Sequence, residues 1–252
     1  MKKTYYDIFA EKVPDPRLLF MNYGYAETAN ARYRWIRPED RRIRYHLTLV
    51  HRALAGIPLR GKRVLEIGSG RGGNCYYISK YTSARSITAI DLCEGNIRLC
   101  RQNKALSKVT FLNADAGALP FRDGTFDVVL NLESSHLYPK FETFVSEVHR
   151  VLKPGGMFAY GDLWHLDLLP INWKQRERTL RRSRFVITRE VDVTEGVFQA
   201  LKKKDGLNSI IGSMKARGNQ KLIDRLMQAN EAMRAYLAFA RCSYWIFNLR
   251  RI

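Results

Sequence analysis

A carboxylate set just ahead of a glycine-rich turn is the combination in this chain best suited to chemistry. Glu66 stands two residues before Gly68-Ser69-Gly70-Arg71-Gly72-Gly73, and Asn74 follows. Residues without a Cβ let a backbone press against a nucleoside-bearing ligand. Gly68, Gly70 and Gly73 also meet the G-x-G-x-x-G spacing of dinucleotide enzymes, so the glycines alone leave the ligand open. Glu66 tips the reading. A carboxylate sits poorly beside a pyrophosphate and suits a ligand with a cationic end, such as the ammonium and sulfonium of S-adenosylmethionine (SAM).

Other acids follow at the ends of apolar runs. Ser86–Asp91 reads as a strand closing on Asp91, 18 residues after Gly73, where such folds place the acid that accepts both ribose hydroxyls. Val109–Asn113 reads as a third strand, and Asp115 after it can accept a hydrogen bond from an exocyclic adenine amine. Phe126–Asn131 is the fourth strand, running into Glu133-Ser134-Ser135-His136-Leu137-Tyr138-Pro139. A helix then ends at Lys153-Pro154-Gly155-Gly156, which reads as a turn into a fifth strand, Met157–Gly161, with Asp162 next.

Motifs in this order over about residues 62–163 resemble those of class I SAM-dependent methyltransferases. The resemblance implies an α/β, Rossmann-like fold with a seven-stranded sheet ordered 3-2-1-4-5-7-6 and helices on both faces. It also implies a cofactor set of Tyr23, Glu66, Gly68, Gly70, Gly72, Asn74, Asp91, Leu92, Asp115, Ala116 and Asn131. Asn131 would offer its backbone carbonyl to the methionine ammonium, and Glu66 would order the glycine turn rather than touch the methyl group. Met21-Asn22-Tyr23-Gly24-Tyr25 is similar to a segment that folds over the cofactor in this family. Tyr23 would then cover the methionine end, or simply pack beneath the lid.

Methyl transfer is an in-line displacement that needs alignment and a competent nucleophile. A hydroxyl acceptor must lose its proton during attack, and histidine is the usual base near neutral pH. His136 stands where the methyl group would emerge. Asp162, at the end of the neighbouring strand, is placed to orient it. The Glu-Ser-Ser-His-x-Tyr-Pro run is similar to that of phthiotriolone and myxobacterial polyketide O-methyltransferases, which implies O-methylation of a small secondary metabolite or lipid. Two other readings remain: C-methylation of a prenyl or sterol-like acceptor, and a non-catalytic SAM-binding scaffold.

The rest of the chain must position these residues. Residues 1–60 read as a mostly helical cap, with a helix opening at Pro38 and running toward Ala55. Residues 61–252 read as the SAM-binding domain, and 165–238 as a helical lid that selects the acceptor. In that stretch Pro170 opens a helix, Phe185–Val191 is a strand, and Gly206 and Gly218 are breaks. Cys242–Leu249 reads as the last, buried strand. No run of 18 apolar residues, no apolar stretch after the N-terminal lysines, and four cysteines without C-x-x-C spacing fit a reduced, cytoplasmic enzyme without a metal site.

The formal net charge is +19, divided as +6 over residues 1–60, +3 over 61–164 and +10 over 165–252. The basic excess therefore lies on the flanks, as a solvated face or as a contact for an anionic membrane or acidic carrier. Nucleic acid ranks last because the flanks carry no RNA-binding module. The acceptor is a small molecule or lipid, free or carrier-bound. The cofactor class has a direct test by calorimetry. SAM is expected to bind at micromolar concentration and to lose that binding in Asp91→Ala, whereas binding of NADH would mean a dinucleotide turn.

Overall fold

The computed structural model describes residues 5–16, 18–27, 33–164, 172–203, 220–238 and 242–252. Seven strands form one sheet: β1 (Arg63–Ile67), β2 (Ser86–Asp91), β3 (Val109–Asn113), β4 (Phe126–Leu132), β5 (Leu152–Trp164), β6 (Phe185–Asp192) and β7 (Ser243–Arg251). Their order is β3-β2-β1-β4-β5-β7-β6, as read from the sequence. Strands β1 to β5 pair in parallel, and β7 enters antiparallel between β5 and β6. Both faces are covered, so the central strands run as nearly unbroken apolar sequence: Val64–Ile67 of β1 is wholly buried, as is Val128–Leu132 of β4.

The helices are α1 (Tyr5–Lys12), α2 (Arg44–Ala53), α3 (Gly73–Tyr81), α4 (Glu94–Gln102), α5 (Phe141–Val151), α6 (Trp173–Arg182), α7 (Thr194–Lys203) and α8 (Gln220–Ala238). Helix α5 shows why such segments dock. Phe141, Phe144, Val145, Val148 and Val151 fall on one helical face, and all are buried. Truncating one such aromatic, Phe144→Ala, removes about 3–5 kcal/mol of stability by leaving a cavity. Helix α2 packs against β5 and β7, so residues before 60 share the main core through Leu47, Leu49, Val50 and Ala53.

Three local readings differ from the sequence expectation. The described part of residues 13–37 is irregular rather than helical. Pro38–Ile43 is a 3-10 turn that precedes α2, because Asp40 is held inward by the hydroxyls of Tyr76 and Tyr81 and by Lys80. The Lys153–Gly156 turn lies inside β5 as a bulge: Leu152 pairs with Phe126, and pairing resumes at Met157 opposite Val128. Pro154 has no amide to give the ladder, and Lys153 pins the loop by its ion pair with Asp127 at 2.8 Å. Helix α6 starts at Trp173 with Asn172 as its cap; Pro170, Gly206 and Gly218 lie outside the described residues.

The chain from Leu18 to Ala26 is a strap across the glycine turn between β1 and α3. Arg71, in that turn, ties down the element before the strap. Its guanidinium donates to the carbonyls of Val13 at 2.7 Å, Asp15 at 3.2 Å and Phe9 at 3.4 Å, and lies 4.7 Å over the Phe9 ring. A buried cation thus closes the C-terminal end of α1, where the helix dipole favours positive charge. Arg71→Met should lower stability by about 2 kcal/mol, since hydrogen bonds to a charged group are lost. Urea unfolding checks this, and limited proteolysis should show earlier cutting before residue 18. Wild-type values for both would remove Arg71 from this role.

Candidate active site

The site is built on the carboxyl ends of β1, β2, β4 and β5, where parallel strands leave a crevice. Strand β1 ends at Ile67, and the chain turns through Gly68 at φ +74°. A Cβ there would lie 2.3 Å from Ser134 Oγ and 2.8 Å from the Tyr138 hydroxyl, so only glycine lets the turn meet the β4 loop. Gly73 opens α3 under the strap, and a Cβ on it would meet the Phe20 ring at 2.6 Å. Gly70 donates its amide to Asp91 Oδ2 at 2.7 Å, and the Cys93 amide donates to Oδ1 at 2.8 Å. Asp91 thereby fixes the turn, with the Asn96 side chain as a further donor to its carboxylate.

Glu66 is fully buried at the end of β1. Its carboxylate accepts from Asn74 Nδ2 at 2.9 Å and from the Cys75 thiol at 2.6 Å. Asn74 in turn accepts from Asn22 Nδ2 at 3.1 Å, and His46 Nδ1 donates to both oxygens of Asn22 at 2.8 and 2.9 Å. One polar chain therefore runs from the sheet through the glycine turn to the strap and α2. Both ends of the Asn74 amide are engaged within it. Tyr23 is half-buried in the strap, and its amide donates to both oxygens of Glu133, at 3.1 and 3.0 Å.

The remaining sequence-derived residues flank this centre. Leu92 is 66% exposed beside Asp91, and Asp115 is exposed next to the buried Ala116. This apolar and acidic rim at the ends of β2 and β3 has the composition of a purine-binding edge. Asn131 is buried in β4, where its Nδ2 donates to the Ile67 carbonyl at 2.9 Å and to Ser134 Oγ at 2.7 Å. The buried Asn131 Oδ1 and Ser69 Oγ have no hydrogen-bond partner. Orphaned acceptors and a glycine cradle beside buried acids fit a nucleoside ligand with a cationic arm.

His136 and Asp162 come together as the strand order requires. A 3-10 turn, Ser135–Leu137, follows β4 and sets His136 Nδ1 at 2.8 Å from Asp162 Oδ1. A carboxylate only accepts, so Nδ1 carries the proton and Nε2 is the basic nitrogen. Asp162 is wholly buried and also accepts from the His136 amide at 3.0 Å, the Ser135 hydroxyl at 2.6 Å and the Leu163 amide at 2.9 Å. Burial is the largest influence on its pKa and would raise it, yet His136 and these donors bring it below the ordinary carboxylate range. For His136, burial is again the largest influence and lowers the pKa. The charge and hydrogen bond of Asp162 outweigh it, Arg176 opposes them weakly, and the net shift is upward.

Three nearby acids have no cation beside them. Burial, the main cause in each case, pushes Glu66 up to about 7, Asp91 to about 6 and Glu133 to about 8. Glu133 also has φ +53°, the only positive value outside glycine among the described residues. Such strain persists where surrounding structure holds it, often at a working site. Glu133, Ser135, Arg176 and Asn22 are the participants that the sequence reading did not single out. Glu133 adjoins the Ser-Ser-His run, and Arg176 interrupts an apolar stripe, so each left a trace. Asn22 left only the resemblance of its segment, because its partner Asn74 is 52 residues away.

The sheet order and its helices have the form of the class I methyltransferase fold. Residues 65–160 match the family described as a methyltransferase domain. A fatty-acid O-methyltransferase of Mycolicibacterium smegmatis is 40% identical over 161 residues, 64% of this chain and 58% of that protein. A phthiotriol/phenolphthiotriol dimycocerosates methyltransferase of Mycobacterium tuberculosis is 37% identical over 174 residues, 66% of this chain and 64% of that protein. The matches thus span less than two thirds of those relatives' lengths. Geranyl diphosphate C-methyltransferase from Streptomyces coelicolor A3(2), solved with S-adenosyl-L-homocysteine, superposes with a TM-score of 0.70 at 16% identity, covering all of both chains. These findings bear out the resemblance to SAM-dependent methyltransferases and the seven-stranded fold read from the sequence.

The raised acids fix the sign of a pH dependence. A carboxyl that holds its proton more tightly when folded contributes stability below its ordinary pKa and loses it as pH rises through the folded value. Glu66, Asp91 and Glu133 therefore withdraw stability between about pH 5 and 8. The melting temperature of the ligand-free protein should fall over that interval, and less so in Glu66→Gln. SAM should restore more of the loss than S-adenosylhomocysteine, which lacks the sulfonium charge. A wild-type curve that does not differ from Glu66→Gln would contradict this account.

Proposed function

We propose that this protein is a SAM-dependent O-methyltransferase acting on a hydroxyl of a small secondary metabolite or lipid. The observation that carries the reading is the His136–Asp162 pair, a half-buried base oriented by a wholly buried carboxylate at the edge of a SAM-type site. When bound, SAM supplies an electrophilic methyl group on a cationic sulfur. Gly68, Gly70 and Asp91 would hold its nucleoside side, with Leu92, Asp115 and Ala116 along the adenine. Tyr23, Glu66, Gly72, Asn74 and Asn131 would shape and line the methionine side. His136 Nε2 takes the acceptor's hydroxyl proton as the oxygen–methyl bond forms. Asp162 stabilises the resulting imidazolium, and Nδ1 keeps its own proton throughout.

The nature of the acceptor decides whether a base is needed. A carboxylic acid is already ionised near pH 7 and would gain little from His136, whereas an alcohol must give up its proton. An oriented histidine therefore favours an alcohol, which agrees with the phthiotriol named for the mycobacterial relatives. Helices α6 to α8 and strand β6 would form the lid that chooses the acceptor. The exposed Lys174, Arg178 and Arg182 of α6 are the candidate contact for an acidic carrier or anionic membrane. No described helix is long and apolar enough to cross a membrane. C-methylation is the second reading, favoured by the likeness in fold to the geranyl diphosphate enzyme.

Radiolabelled SAM offered with a long-chain secondary alcohol, a fatty acid and geranyl diphosphate separates these readings. Label is expected on the alcohol as an ether. His136→Ala should lower kcat by about 10²–10⁴-fold while SAM binds as in wild type. Label on carbon would replace O-methylation with C-methylation. SAM binding without transfer to any acceptor class would favour a scaffold.

A further inference from the structure

Helix α6 presents Trp173, Arg176 and Leu180 to the protein interior, the i, i+3, i+7 stripe of an amphipathic helix. An arginine thus occupies a position where an apolar residue would bury without penalty. Arg176 is 5% exposed, and no carboxylate among the described residues lies within ion-pair distance of it. Its guanidinium lies 4.6 Å over the Phe141 ring and 5.6 Å from that of Trp173. It donates to Ser135 Oγ at 3.4 Å and to the Tyr138 carbonyl at 3.3 Å. Both bonds are long and both acceptors neutral. Packing alone does not account for a buried charge that a residue such as Met would replace at no cost.

The missing counter-charge lies one hydroxyl away. Ser135 has a single hydroxyl proton, and it goes to Asp162 Oδ2 at 2.6 Å. The Ser135 oxygen is left to accept from Arg176 and from the Tyr160 hydroxyl at 2.8 Å. A relay therefore runs Arg176–Ser135–Asp162–His136, with a cation at each end when the imidazole is protonated. The ionisable groups facing this relay are Asp162 from β5, Arg176 from α6, Tyr138 and Tyr160 beside Ser135, and Glu133 and Tyr244 on the far side of Asp162. Arg176 is the only permanent cation among them.

We propose that Arg176 is a positioning residue for the base: it anchors Asp162 through Ser135 and, by its charge, holds the His136 imidazole's affinity for a proton below what Asp162 alone would set. Asp162 by itself would favour the imidazolium, which cannot accept the acceptor's proton. The arginine balances that charge without touching the reacting atoms. Because Arg176 belongs to α6, docking of this helix also readies the base. This inference rests on the reading of His136 as the base, although its effect on the imidazole can be read without any acceptor.

The test is an NMR titration of the imidazole in the intact protein, with the His136 signal assigned among the five histidines by its absence in His136→Gln. In Arg176→Met the titration midpoint is expected to rise by about half a pH unit, and in Arg176→Lys to stay near wild type. The acid limb of kcat should move upward by the same amount, with activity recovered above that midpoint. Should Arg176→Met fail to fold, Arg176→Gln keeps a donor toward the Tyr138 carbonyl without the charge and is expected to show the same shift. A folded Met or Gln variant whose His136 titrates as in wild type would overturn the proposal and leave Arg176 as packing. If the midpoint moves but His136→Ala still transfers methyl groups at the wild-type rate, the base assignment fails while the influence of Arg176 on His136 stands.

Discussion

Burying a carboxylate costs free energy unless donors or a cation compensate it, and four acids are gathered at the carboxyl edge of this sheet. Asp162 is compensated by four hydrogen bonds, one of them from the His136 ring, and its pKa falls. Glu66, Asp91 and Glu133 have only neutral donors, and theirs rise. The crevice is thus charge-complete on one side and deficient in positive charge on the other. A ligand carrying an ammonium and a sulfonium supplies what is missing. The same deficit would repel a pyrophosphate, which resolves in physical terms the ambiguity of the glycine spacing.

Two segments outside the central sheet close on this edge, and each is tied to it by polar contacts. The strap from Leu18 to Ala26 is joined through Asn22 to Asn74 and Glu66, and through the Tyr23 amide to Glu133. Arg71, from the glycine turn itself, holds the helix that leads into the strap. On the other side, α6 docks through Trp173 and Arg176 beside the His136 loop. Elements fastened this way tie the strap and α6 to the geometry of the buried acids and of His136.

Much of the frame was legible in the chain because parallel strands buried on both faces must be apolar and end at turns. Ser86–Asp91 and Val109–Asn113 coincide with β2 and β3, and the late aromatic run becomes the antiparallel β7. Gly68, Asp91, His136 and Asp162 were legible because each stands at or beside the carboxyl end of a strand, although β5 runs two residues past Asp162. Strand adjacency then implied the His136–Asp162 contact found at 2.8 Å. The bulge in β5 was not legible. A Lys-Pro-Gly-Gly turn and a Lys-Pro-Gly-Gly bulge read alike until a neighbouring strand shows where pairing resumes.

What the sequence by itself determined is the strands and the residues that stand at their carboxyl ends, since periodicity and turn chemistry are local properties, while the strand order followed from the resemblance to class I methyltransferases. Tertiary structure alone decided how those residues are charged and oriented. Glu66 and Asp162 are both acids after apolar runs, yet one is pushed up to about 7 and the other lies below its ordinary range. The difference comes from neighbours distant in sequence, such as His136 and Ser135 at Asp162, and from the absence of any such cation at Glu66. Local sequence carries no record of which partners burial will bring within reach, and at short range in a low-dielectric interior those partners set the protonation state.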